Sequence, residues 1–572
     1  MTSPKLATDI DLRQIDSTTS TLEHIATAES QAPTLVRSRS GAPEELHLKQ
    51  AVKQYPKITR YVFFLMSAVL LYGYDLVIVG TIPAVPGFQR DFGQLHRDGD
   101  DEQHIIPALW LSLWSALGPA GSLAGAIFAG WLQDRIGRRR CLATGSFMSA
   151  VAVAILFVCN KPTAIEVRRG VFLLGKIIQG VAIGIINIQT ITYVSETIPT
   201  CLRGPALALF PAFTLLGQLI GAIVIFLVSR IDSSASYLIA FASQWPFSVG
   251  PFILALMMPE SPAYLIRKKR MDEAQRSLHR LFAPKVDPAA AFEHMRLSIE
   301  AEERMARQVS YRDCVNRTNR RRTWIVVFAS IVTAIIGLPL LASASYFLQV
   351  VGMSAFNSLL FLIVGIILGL LANVASVWVL SRVGRRQLTI TTLLIGAVLW
   401  GGMGICGFWD GVVTVWYTAI SCMAIIVVVG VGAWPASYAI RSEASALRLR
   451  SKSQGIAGLF DYLSSIALNL VLPYIYNPDA GNLKARTGFI FTGLCLIGAV
   501  VTFLDVPEMK GRNVLELDAM FKLGLKTREF RSWNGSAEEV EAAVREDETE
   551  EGLSALRANG LDKSATTAKP DP

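Results

Sequence analysis

GWLQDRIGRRRC (Gly130–Cys141) sets four arginines and an aspartate directly behind an apolar run at 109–132. A near copy, LSRVGRRQ (Leu380–Gln387), follows another apolar run. Arg135, Gly137, Arg138 and Arg139 match Arg382, Gly384, Arg385 and Arg386, each pair 247 positions apart. The same offset links Glu196 to Glu443 and Arg203 to Arg450, and Pro259-Glu260 returns as Pro507-Glu508 at 248. Three charge motifs recurring in one order and one register mark an internal duplication.

Composition says what is duplicated. Of 572 residues, 52% are hydrophobic and 17% charged, and mean hydropathy is +0.42. Soluble domains average about 25% charged residues, so this chain has too few charges to coat a soluble body of its size. A bilayer-crossing helix needs about 20 apolar residues. Such runs fall at 60–82, 108–132, 142–159, 171–194, 205–228, 237–258, 324–348, 356–380, 388–408, 413–438, 455–475 and 487–506. The fold class read from them is an all-α membrane protein, with twelve transmembrane helices in two six-helix halves. Residues 1–57 form a polar N-terminal tail, 58–258 the first half and 259–323 a linker with short helices. Residues 324–508 form the second half and 509–572 a charged C-terminal tail. No cleavable signal peptide is visible, so the first span serves for insertion.

The net charge of +9 reads as topology rather than nucleic-acid binding. Lys and Arg gather in cytoplasmic loops. The 133–140, 259–323, 381–387 and 439–453 segments, the last counting Arg441, Arg448, Arg450 and Lys452, share one side if both termini are cytoplasmic. The seven cysteines are scattered without a CxxC, and the six histidines lie outside the spans. No metal ligand set, catalytic constellation or cofactor motif is read. GVFLLGKI (170–177) fits GxxxxGK but lacks the following Ser or Thr and lies in an apolar span, so it is not a phosphate loop. Asn316-Arg-Thr318 and Asn534-Gly-Ser536 are sequons on the expected cytoplasmic side, where glycosylation is not expected.

Duplicated bundles of spans belong to secondary transporters, whose substrates bind near mid-membrane between the halves. The repeated charges then sit where helix ends of the two halves approach. Pairs between carboxylate and guanidinium are expected to hold the inner mouth shut. Charges within spans cost about 2.5–3.5 kcal/mol each on insertion scales. Asp75, Lys176 and Asp461 therefore call for a functional reading.

GWLQDRIGRRR, YVSETIPTCLRG (193–204), PESPAYL (259–265), VPEMKGRNVLELD (506–518) and YGYD (72–75) together resemble the motifs of the sugar porter family of the major facilitator superfamily. The resemblance covers roughly 60–520. SYFLQVVGMS (345–354) and PYIYNPDAGNLKARTGFIF (473–491) are similar to fungal α-glucoside (maltose-type) permeases. The resemblance implies the major facilitator fold, alternating access and a plasma-membrane address. It implies an inner charge network of Asp134, Arg138, Arg139, Glu196, Arg203 and Glu260 with Arg385, Arg386, Glu443, Arg450 and Glu508. Ser381 stands where the second copy of Asp134 would be.

It also implies that protonation of Asp75 releases Lys176, the counterpart of a span-four arginine, and so couples protons to movement. Tyr72 replaces an acid that maltose-type permeases carry three positions earlier. For the solute, the resemblance implicates Gln218, Thr333, Trp434, Tyr438 and Asp461. Its pattern is incomplete, because Pro211, Thr333, Ala334 and Pro339 occupy positions where hexose porters carry other polar groups. Gln189, Asn187, Asn373 and Asn469 are candidates to compensate. Three functions are weighed: a proton-coupled carrier of a hexose or α-glucoside such as maltose, a diverged carrier of a non-sugar metabolite, and a non-transporting sensor. Sensors of the family carry a long C-terminal extension, and the tail from about 521 to 572 is short.

Overall fold

In the lipid interior every backbone polar group must be bonded internally, which leaves helices for a chain with these apolar runs. The computed structural model describes residues 48–98, 101–283, 287–307, 310–317, 319–409, 411–446, 448–512 and 514–533. Most of both tails, and Asn534 with its sequon, lie outside the described residues.

The first half holds α1 (Pro56–Thr81), α2 (Ala108–Ile136), α3 (Arg138–Phe157), α4 (Ile165–Thr197) and α5 (Thr200–Val228) as spans one to five. Span six is two helices, α6 (Ala235–Ala242) and α7 (Trp245–Met257). The linker forms α8 (Pro262–Arg267), α9 (Met271–Phe282) and α10 (Pro288–Arg307). The second half follows with α11 (Arg320–Ile335), α12 (Leu338–Ala342) and α13 (Ala344–Val351) as span seven, then α14 (Ala355–Arg382) and α15 (Arg385–Cys406). Span ten is α16 (Val412–Val431) and α17 (Ala433–Ala444), span eleven α18 (Arg450–Tyr476) and span twelve α19 (Gly488–Asp505). A short helix, α20 (Val514–Lys522), comes after. Between spans one and two, β1 (Gln94–Asp98) pairs antiparallel with β2 (Asp101–Ile105), a small hairpin in an otherwise helical chain. The phosphate-loop lookalike lies inside α4, with its glycines in helix.

Eleven helices among the described residues are long and apolar enough to cross a membrane. The run at 324–348, expected as one span, is broken instead. Gly337 takes φ +89, a conformation that side chains disfavour. Pro339 then begins a new helix near its first turn, where a missing N–H costs nothing. A break leaves the summed hydropathy unchanged, so a hydropathy reading passes over it.

Gly125 and Gly184 explain why spans two and four lie so close. A Cβ at Gly125 would stand 2.2 Å from the Val181 carbonyl oxygen, and one at Gly184 would stand 2.2 Å from that of Ser122. Small residues let backbones approach in lipid, where dispersion packing must do most of the work. Gly365 and Gly369, read from sequence in the same way, meet only Ile426 side-chain atoms.

Hydrogen bonds join the halves at the end of the bundle far from the Gly137 and Gly384 loops. Asp479 Oδ2 accepts from the Ala108 backbone at 2.8 Å, and Asn477 Nδ2 donates to the Ile106 carbonyl at 2.8 Å. Gln89 donates to Gln349 at 2.9 Å, and Gln349 donates to the Ala84 carbonyl at 2.8 Å. Ser112 donates to the Leu470 carbonyl at 2.7 Å. Beside this seam, Phe88, Phe92, Trp114, Phe172 and Tyr237 form a buried aromatic cluster.

A candidate transport site between two buried ion pairs

The duplicated charges form two copies of one cluster. Arg138 donates to Glu196 through Nε at 2.9 Å and Nη2 at 2.7 Å, and its backbone N–H donates to Glu260 at 2.7 Å. Arg385 repeats this with Glu443 at 3.1 and 2.9 Å and with Glu508 at 2.9 Å. Even the carbonyl acceptors recur. Arg138 Nη1 donates to Gln133 and Arg385 Nη1 to Leu380, while Arg139 Nη2 reaches Leu256 and Arg386 Nη2 reaches Phe503. The glycines now have a reason. A Cβ at Gly137 would lie 2.4 Å from a Glu260 oxygen, and one at Gly384 would lie 2.1 Å from a Glu508 oxygen.

The pairs are expected from sequence to hold the inner mouth shut, and in this structure they form within each half. Arg138, Glu196 and Glu260 bond within the first half, and Arg385, Glu443 and Glu508 within the second. Each cluster ties the ends of three spans together. The sequence spacing identified the charges but could not say which half each partner came from. Asp134 stands 3.3 Å from Arg138 and is largely exposed. Arg450 donates to the Ser442 carbonyl at 3.2 Å and is exposed. The Arg203 side chain lies outside the described residues.

Deeper in the bundle, Lys176 Nζ of α4 stands 3.5 Å from Asp75 Oδ1 of α1. Gln244, in the turn of span six, donates to the same oxygen at 3.2 Å. Lys176 is only 1% exposed, and its Nζ has no hydrogen-bond partner. The pairing of Asp75 with Lys176 was legible from the residue types. The Gln244 contact was not, because nothing in its neighbourhood marks it.

In the second half, Thr333 of α11 donates to Asp461 Oδ1 of α18 at 3.1 Å, and Arg441 Nη1 of α17 stands 3.8 Å from Asp461 Oδ2. The Arg441 guanidinium lies over the Tyr438 ring at 4.0 Å. Arg441, counted from sequence among loop residues, belongs to a helix that runs to Ala444 and is 7% exposed. Its charge inside an apolar run was the available signal, lost because the run was ended at 438. Tyr72 of α1 lies within electrostatic reach of Tyr438, Asp461 and Tyr462 across the halves, and the Tyr462 hydroxyl meets Asn187 of α4.

Of the other residues expected to meet the solute, Gln218 and Trp434 are half-buried on α5 and α17, with Trp434 packed against the main core. Tyr438 is exposed. Asn469 bonds only Ser465, one turn away on its own helix, and Gln189 is fully buried. The region therefore offers three tyrosines, an asparagine, a threonine and two carboxylates, each carboxylate backed by a buried cation. Such a lining can bind a polar solute by directed hydrogen bonds. It contains no arrangement of nucleophile and base.

Residues 61–521 match the sequence profile of the sugar (and other) transporter family. The chain belongs to that family, within the major facilitator superfamily. This sugar-transporter-family member is a multi-pass membrane transporter and not an enzyme. It is 29% identical to the MFS transporter fmqE of Aspergillus fumigatus over 518 residues, 86% of this chain and 92% of that one. It is 29% identical to the alpha-glucosides permease MPH3 of Saccharomyces cerevisiae over 535 residues, 91% and 86% of the two chains. The maltose permease MAL61 of the same yeast matches at 29% over 505 residues, 85% and 79% of the two chains. The fold is that of the xylose transporter XylE from E. coli in a partially occluded inward open conformation, with TM-score 0.64 and 18% identity over 80% of this chain and 100% of that one.

Proposed function

We propose that this transporter moves a sugar, a hexose or an α-glucoside such as maltose, by alternating access coupled to protons. The observation that carries the coupling is the Asp75–Lys176 pair, 3.5 Å apart beside the central polar groups. Protonating Asp75 neutralises it and releases Lys176. Losing the proton restores an attraction between spans one and four. A solute that arrives with the proton then meets a bundle free to rearrange, and the empty, deprotonated bundle resets by a separate route. Support for the cargo comes from relatives named as permeases of α-glucosides and maltose.

Solute hydroxyls lose water on entry and need replacement partners. Asp461, Thr333, Gln218 and Tyr72 supply such partners, with Tyr438 and Trp434 as ring faces. The positive-inside rule puts the basic end of the bundle in the cytoplasm, together with both termini and the 259–323 linker, most simply in the plasma membrane. The joined end then faces outward. The two charge clusters act as braces that keep each half rigid while it rocks. The expected test is uptake of labelled maltose, glucose and sucrose, at two external pH values, into cells lacking their own carriers. Uptake that rises as external pH falls supports the reading. No uptake of any of the three refutes the sugar cargo.

A second reading, a carrier of a non-sugar metabolite, is favoured by Thr333. It gives its hydroxyl to Asp461 at 3.1 Å, which draws on hydrogen-bonding capacity at a site where a sugar needs it.

A further inference from the structure

Asp75 and Asp461 are built into the protein on the same plan. Each is a carboxylate within a spanning helix, with a buried cation just beyond tight ion-pair distance: Lys176 at 3.5 Å for one, Arg441 at 3.8 Å for the other. Each receives a neutral side-chain donor, Gln244 at 3.2 Å or Thr333 at 3.1 Å. In each pair the cation is the more deeply buried member and keeps polar atoms with no hydrogen-bond partner: Nζ of Lys176, and Nε and Nη2 of Arg441. A settled buried ion pair satisfies its donors. In both of these pairs the cation keeps hydrogen-bonding capacity that a second acceptor could take up.

The second pair is not inherited from the duplication. Counting back 247 from Arg441 and Asp461 gives Val194 and Thr214, so the first half has no such pair at those positions. The central brace charges, Arg138, Glu196 and Glu260, recur as Arg385, Glu443 and Glu508, whereas this pair stands in one half alone. Folding the repeat does not require it, and burying it is costly.

Asp461 is also the more accessible acid, its side chain 36% exposed against 11% for Asp75, so a proton can reach it. The groups facing it are Arg441 from α17, Thr333 from α11, Tyr72 from α1 and the tyrosines Tyr438 and Tyr462, with Asp75 beyond. Arg441 is the one cation among them.

We propose that Asp461 is a second proton-binding site of the transport cycle, so that each half carries one acid and two protons accompany each solute. The inference rests on the proton-coupled reading above. Water delivers a proton to an Asp461 oxygen, the carboxylate becomes a neutral carboxyl, and Arg441 loses its counter-charge. The freed guanidinium turns its unsatisfied N–H groups toward other acceptors, which alters how span ten packs on span eleven. Returning the proton to water on the other side restores the pair. Tyr72 brings span one, from the opposite half, beside this event. Proton occupancy in the second half is thereby felt by the helix that carries Asp75.

The test is infrared difference spectroscopy of the purified full chain in lipid nanodiscs during acid titration. It reads the C=O stretch of protonated carboxyls and needs no solute. The wild type is expected to show a band that Asp75→Asn and Asp461→Asn each reduce and that the double variant loses. An Asp461→Asn spectrum that titrates as the wild type overturns the inference while leaving Asp75 intact. An unchanged Asp75→Asn spectrum overturns the proton-coupled reading instead. If Asp461→Asn cannot be purified, Arg441→Gln is read. Removing the cation should let one carboxyl component persist to higher pH, and an unmoved band overturns the proposal. In cells, labelled maltose uptake with simultaneous proton influx should give two protons per maltose in the wild type. A wild-type ratio of one refutes the second site.

Discussion

Arg138→Ala and Arg385→Ala remove the same atom set from two copies of one brace, yet their costs should differ. In the first copy, Arg138 and Glu196 are 3% and 10% exposed, and two nitrogens reach two separate oxygens. Removing one member of a buried pair costs about 3–5 kcal/mol, because the other charge stays buried. Glu196 keeps Arg267 at 3.1 Å and Ser261 at 2.5 Å, so the low end, about 3 kcal/mol, applies. In the second copy, Arg385 and Glu443 are 19% and 24% exposed, and both bonds fall on one oxygen. Water partly replaces the loss there, leaving about 1–2 kcal/mol.

For a unit of 150–250 residues, 1 kcal/mol moves Tm by about 2–4 °C. Arg138→Ala should therefore melt roughly 6–12 °C low and Arg385→Ala only a few degrees low. Thermal melting of purified protein in a fixed detergent, followed by size-exclusion fluorescence, reads the difference. Arg138→Met with Glu196→Leu should recover much of the loss, since the buried pair goes together and Arg267, which loses Glu196, is 36% exposed and can turn to water. If Arg385→Ala melts at or below Arg138→Ala, burial does not set the worth of these pairs and the reasoning fails.

Asp75→Asn should lower accumulation against a gradient and weaken the pH dependence of uptake, while equilibrium exchange of labelled maltose survives. Exchange lost together with accumulation, at normal surface abundance, would count against a purely coupling role. Gly384→Ala puts a methyl onto Glu508 and should lower surface abundance more than Gly458→Ala, which meets nothing within 4 Å; quantitative surface labelling checks this. Gly125→Val drives a branched side chain into the Val181 carbonyl and should prevent assembly of the first half, seen as loss of the monodisperse peak. Asn477→Ala removes bonds to Ile106 and Tyr346 at the joined end. It should raise thiol labelling of a cysteine placed at Gln349 from the external side, and unchanged labelling would show that the seam does not hold that end closed.

The duplicated charges were legible because lipid forces arginines to helix ends and a repeat copies both residues and spacing. Their partners were not, since sequence order carries no record of which half turns toward which. Asp75 and Lys176 could be paired from charge alone: two opposite charges in apolar runs have few other ways to be tolerated. Arg441 was hidden by its position a few residues from the end of a span, where an arginine ordinarily reports topology. The break at Gly337 went unread for a different reason. Hydropathy averages over a window, and a backbone turn does not change an average. The contacts at the joined end link residues as distant as Ala108 and Asp479, and only the folded arrangement of the halves brings them together.

The described bonds across that joined end come from amides, hydroxyls and backbone groups, and the one acid among them, Asp479, accepts from a neutral N–H. Dissolved ions screen paired charges but leave neutral hydrogen bonds almost untouched. A cell moved from dilute to saline surroundings at constant osmotic strength would find the outward closure just as firm, and the carrier's resting leak should stay level across that change.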